Sequence, residues 1–179
     1  MSTTFNVSKV DAAKRQLEVA INLFFRGGDP VSIHTLTRAG FQVLNDLSTK
    51  QGIRTIHEQM IESIKPESRK LVRNKFSEAR NFFKHANNDS DNLIKFNPEL
   101  SEFFLWDACD VYKKLTMQKV EIFEVFLIYF RMKNKNIFEF STEEQFKMND
   151  AALTLDLNTS SPSSFIPLFS IMKEANYDF

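Results

Sequence analysis

Residues 8–47 read SKVDAAKRQLEVAINLFFRGGDPVSIHTLTRAGFQVLNDL, and this stretch decides the fold class. Ser8 can cap a helix, with Asp11 three residues on as a variant capping box. Val10, Ala13, Leu17, Ala20 and Phe24 recur at three- and four-residue spacing, which makes one apolar stripe on a helix running to about Phe25. Gly27-Gly28 ends that helix, because glycine accepts the left-handed C-cap conformation. Asp29 and Pro30 then supply the N-cap and first position of a second helix. Its expected buried face is Ile33, Leu36, Ala39/Gly40, Val43/Leu44 and Leu47. A joint this tight predicts an antiparallel helical hairpin.

The same logic extends along the chain. A short helix is expected over about 55–64, and Pro66 opens a fourth that runs to about Ala86. Asn87 to Asp91 is a polar turn-forming stretch, and Asn97-Pro98-Glu99 starts a fifth helix to about Leu115. Gln118 to Arg131 is long enough for a sixth helix rather than a strand. Beyond Lys135 the pattern weakens. Ser141 with Glu144 is a capping box, Thr159 to Ser164 reads as a flexible linker, and Phe165 to Ala175 as a last amphipathic helix docking on the core. The expectation is an all-α fold: a bundle of about five or six helices over 1–134, with a smaller, partly flexible C-terminal helical appendage over 135–179 packing on it.

Composition supports this. Only 4 Gly and 5 Pro are too few for the many turns of a sandwich or barrel. Nineteen Phe imply an aromatic core, and packed core is a better reading of them than an apolar-ligand pocket. Lys+Arg and Asp+Glu are equal at 23, so the chain is no dedicated nucleic-acid coat protein, and any nucleic-acid contact must be local. Cys109 stands alone, so no intramolecular disulfide can form, which suits a reducing, cytoplasmic setting. It reads as a buried inert thiol. No apolar run approaches the roughly 20 residues of a spanning helix, so no membrane association is expected.

The fourth helix carries the chemistry. Between Lys65 and His85 stand seven cations (Lys65, Arg69, Lys70, Arg73, Lys75, Arg80, Lys84) against Glu67 and Glu78, whereas the segment after it is acidic. At about 100° per residue, Leu71, Val72, Phe76, Ala79, Phe82, Phe83 and Ala86 share one face, marred by Lys75. The opposite face has Arg73, Arg80 and Lys84 in one row and Asn74, Asn81 and His85 in the next. A guanidinium presents a planar fork to a phosphate. An imidazole can take or give a proton near neutral pH. RNA brings its own nucleophile, the 2′-hydroxyl, so this chemistry requires no metal.

Arg80-Asn81-Phe82-Phe83-Lys84-His85 resembles the Arg-polar-x-x-x-His motif of the HEPN superfamily, all-α domains of which many are metal-independent endoribonucleases of toxin–antitoxin or defence systems. The resemblance covers that motif and the helical order over about 8–131. It implies a homodimer with two copies of the motif in one cleft, Arg80 on the phosphate, Asn81 positioning, and His85 as general acid or base. Arg73 and Lys84 would add phosphate or RNA contacts. RNA and an antitoxin-like protein are the implied partners, and no cofactor or metal is expected. The competing reading is a non-catalytic helical interaction or nucleotide-binding module, in which the basic face is merely solvated and Arg80 pairs with Glu102, Asp107 or another acid of the next segment. His34 and His57 stand on separate helices without metal-ligand spacing, and His57-Glu58 is expected at the surface. The acidic fifth helix is expected to pair with the basic fourth, within a chain or across a dimer.

Overall fold

The computed structural model describes residues 4–86 and 91–175, and its regular elements are helical throughout. In chain order they are α1 (Lys9–Phe25), α2 (Pro30–Lys50), α3 (Ile56–Ser63), α4 (Pro66–Lys84), α5 (Glu99–Thr116), α6 (Glu121–Lys133), α7 (Thr142–Thr154) and α8 (Ile166–Ala175), with 3-10 turns at Lys135–Ile137 and Pro162–Phe165. The all-α bundle read from the sequence is therefore present, with smaller C-terminal helices beside it.

Local chemistry sets the first two helices. The Ser8 hydroxyl accepts from the Asp11 N–H and the Asp11 carboxylate accepts from the Ser8 N–H, a complete capping box. At the other end Gly28 N–H donates to Leu23 O and Gly27 N–H to Phe24 O, with Gly27 at φ +67°, so a Schellman motif closes α1. Asp29 accepts from Ser32 N–H at 2.7 Å and starts α2. The two helices fold back as a hairpin and form the most extensive pairing in the bundle. They approach so closely that a Cβ on Gly40 would lie 2.9 Å from Leu17 Cγ.

Around this hairpin α5 and α6 complete an aromatic and aliphatic core. Leu17, Ile21, Leu44, Phe104, Leu105, Val111, Val125 and Phe126 are fully buried. Phe126 and Tyr129 sit edge-on to Phe24. The C-terminal segment contributes to this core through one residue above all. Phe165 is fully buried, stacked on Phe25 and edge-on to Tyr129. The serine stretch before it is not the linker the sequence suggests. Asn158 N–H donates to Ser164 Oγ at 2.8 Å and Ser160 N–H to Asn158 Oδ1 at 2.9 Å, which winds the chain into a tight turn that presents Phe165. α7 has its expected Ser141–Glu144 capping box but buries none of its residues.

The acids of α5 are not matched to the cations of α4. Glu102 takes Lys133 of α6 at 2.8 Å, and Asp110 takes Lys114 of its own helix. Asp107 turns inward and accepts from the backbone N–H groups of Ile56 at 2.9 Å and His57 at 2.8 Å, so it caps α3. Burial raises its carboxyl to about 6, against the lowering pull of those two N–H donors.

Candidate functional site

α4 lies on the outside of the bundle and packs on α2 and α3. Only Ala79 is fully buried; Val72, Phe76, Phe82 and Phe83 are half-buried, and Leu71 is 64% exposed, so the apolar face expected from the sequence is only partly covered. Lys75, the blemish on that face, is exposed and pairs with Glu78 one turn on. The helix ends at His85, whose N–H donates to Asn81 O at 3.1 Å and whose backbone is extended.

The motif residues separate into bound and free. Arg80 Nη1 donates to Gln42 Oε1 of α2 at 2.8 Å, and its Nε and Nη2 both lean on Asn81 Oδ1 at 3.3 Å. Among the described residues every acceptor of this guanidinium is a neutral amide, and no carboxylate there cancels its charge. The pairing with Glu102 or Asp107 weighed from the sequence is not made. The imidazole of His85 and the ammonium of Lys84 are exposed and have no hydrogen-bond or ion-pair partner among the described residues. Arg73 is different. Its fork is bidentate on Glu58 of α3 at 3.0 and 2.9 Å, and that hydrogen bonding, first among the causes, holds the Glu58 carboxyl low. An arginine already saturated by a carboxylate is a poor phosphate ligand, so the structure ties Arg73 to α3, and of the two arginines in that polar row Arg80 keeps a charge to offer.

The structure also gathers residues the sequence reading left scattered. His34, Thr37 and Arg38 of α2 are buried, His34 and Arg38 against Ser101 and Phe104 of α5, although the expected buried face of α2 ran through Leu36 and Ala39. His34 is fully buried, with Nδ1 2.9 Å from Ser101 Oγ and its ring edge-on to Phe96 and Phe83. His57, expected at the surface, is 8% exposed and sits among Phe41, Phe76 and Phe104. Both histidines are pushed down to about 4. Burial is the main cause for each; Arg38 and Arg80 reinforce it, and at His57 the nearby Glu58 opposes it. Held neutral, His57 forms no ion pair with Glu58 despite a 3.7 Å approach. Arg38 is 3% exposed; its guanidinium lies 3.6 Å over the Phe104 ring and 5.4 Å from that of Phe41. Burial, then the charge of Arg80, lowers it to about 9.

The available signal was the i, i+4 series His34, Arg38, Gln42, three polar side chains on one stripe of α2. Beside this region an open groove of about 790 Å³ is lined by Asp46, Glu58 and Glu62 with Lys50 and Arg54 among others. Three carboxylates against two cations make it a poor seat for a polyanion. Cys109 is buried and its thiol is raised by that burial, which keeps it protonated and inert. No helix is long and apolar enough to cross a membrane, and no group of three or more His, Cys, Asp or Glu is placed to hold a metal, both among the described residues. Comparison with family models, curated proteins and solved structures returns no match.

Proposed function

We propose that the protein is a metal-independent endoribonuclease of the HEPN type, working as a homodimer whose two copies of Arg80, Asn81 and His85 share one cleft. One observation carries this reading. Arg80 is oriented by two amides, uncancelled by any carboxylate among the described residues, near an exposed His85 at the end of the same helix. In the reaction His85 takes the proton of a ribose 2′-hydroxyl, the 2′-oxygen bonds to the adjacent phosphorus, and the bond from phosphorus to the 5′-oxygen breaks. The leaving oxygen takes a proton, from the second copy's imidazole or from water. The products are a 2′,3′-cyclic phosphate and a 5′-hydroxyl. Arg80 stabilises the charge on the phosphoryl oxygens, and Lys84 adds to the field that draws RNA in.

The test is cleavage of varied RNAs by purified protein. Replacing His85 with Ala should lower the rate by a factor of about 10² to 10⁴ while the circular dichroism spectrum and urea midpoint stay put. Wild-type protein that leaves every RNA intact overturns the reading. A second reading, a non-catalytic helical interaction module, is favoured by a specific feature: the His85 imidazole has no orienting partner among the described residues, whereas catalytic bases are usually held by a third group. That reading gains if the protein is a monomer in sedimentation and RNA binds without being cut.

A further inference from the structure

The charge held between α2 and α5 is unusual in kind. Arg38 is buried, yet its Nε and Nη1 have no hydrogen-bond acceptor, and no acid pairs with it among the described residues. An uncompensated buried charge is costly, and stacking on Phe104 offsets only part of that cost. One turn along α2, Gln42 holds Arg80 of α4 in place, and the charge of Arg80 is felt at Arg38, so two guanidinia without counter-charges among the described residues lie within electrostatic range of each other. Each raises the cost of the other. A tetrahedral oxyanion lowers both at once, since each guanidinium can present parallel N–H donors to it.

We propose that Arg38 and Arg80 form a two-guanidinium clamp for a phosphate group in the seam between α2 and α4, with Gln42 setting their spacing. The phosphate is that of a nucleotide or phosphodiester, and its identification with RNA rests on the nuclease reading above. Arg38 then supplies from α2 the second phosphate contact that Arg73, locked on Glu58, does not. The rings of Phe104 and Phe41 flank the Arg38 guanidinium, which lies 3.6 Å over the first and 5.4 Å from the second.

The experiment uses the whole chain and three probes: inorganic phosphate, adenosine monophosphate, and a 2′-O-methyl RNA oligomer that cannot be cleaved. Binding is read by calorimetry and by the shift of the Arg38 Nε–Hε signal in nitrogen-15 spectra of wild-type protein. The expected result is binding of at least the two phosphate esters, a shift of that signal, and a loss of about tenfold to a hundredfold in affinity in both Arg38→Met and Arg80→Gln. Arg38→Met keeps the apolar stem on Phe104; should it fail to fold, Arg38→Lys and the wild-type signal carry the test. Affinity for the phosphate ester alone assigns the site to a mononucleotide, and stronger binding of the oligomer assigns it to RNA. Unchanged affinity in the Arg38 variants, a motionless Arg38 signal, or no binding of any probe overturns the clamp. Because no probe is cut, a failed nuclease assay with a working clamp, or the reverse, is seen separately.

Discussion

The two sides of α2 differ as much as two proteins might. One side meets α1 through Gly40, Leu17 and Leu44, close enough that a single methyl would collide. The other side buries His34 and Arg38 against Ser101 and Phe104 of α5, with Phe83 of the half-buried α4 over the His34 ring. The first side carries the stability of the bundle. The second stores unsatisfied polar groups, which cost stability and which a ligand can relieve.

The sharpest way to break this contrast is to cut matched aromatics. Phe126→Ala removes a fully buried ring packed on Phe24, Phe25 and Tyr129, and should cost about 3–5 kcal/mol in urea unfolding. Phe82→Ala, on the half-buried face of α4, should cost about half of that or less. Equal losses would mean that α4 is as much a part of the core as α6.

Acid should find the polar side next. His34 and His57 have folded values of about 4 against 6.5 when free, so the unfolded chain binds more protons between these limits. Their stabilisation is complete above pH 6.5 and is lost as pH falls through 4. Asp107, at about 6 against 3.8, works the other way: its share is complete below 3.8 and is lost as pH rises through 6. With two groups set against one, lowering the pH from 7 to 4 costs at most about 4 kcal/mol net. A urea midpoint that holds steady over that range refutes the neutral burial of the histidines, and His57→Phe should flatten the decline.

The smallest effect belongs to the surface tie. Arg73→Ala breaks the bidentate pair with Glu58 and should cost about 1 kcal/mol, less at high salt. It should leave RNA cleavage nearly unchanged, because the arginine is occupied by a carboxylate. A large loss of activity would return Arg73 to the site.

The legibility of the sequence followed the range of the interactions. Ser8 with Asp11, Gly27-Gly28 and Asp29-Pro30 act on their immediate neighbours, and each made the cap or stop it suggested. The apolar stripe of α1 was legible for the same reason. His34, Arg38 and His57 were not, because what buries them comes from afar in the chain: Phe96, Ser101 and Phe104. Polar residues at helical spacing read as a solvated face unless those partners are known. Likewise, nothing local in the serine run announces that Phe165 will sit between Phe25 and Tyr129. At the candidate site the motif spacing was plain, but the division of labour between Arg73 and Arg80 depended on Glu58 and Gln42, neither of which lies on α4.

α3 has eight residues, too few to persist as a helix by itself in water. It is fixed at its start by the Asp107 carboxylate and gripped near its end by Arg69, whose side chain donates to Glu62 O and Ile64 O. Glu58 leaves it to hold Arg73. A short strut of this kind transmits position: a shift of one carboxylate on α5 would re-aim the basic helix through α3, in addition to the ring contacts of Phe76 with Phe103 and Phe104.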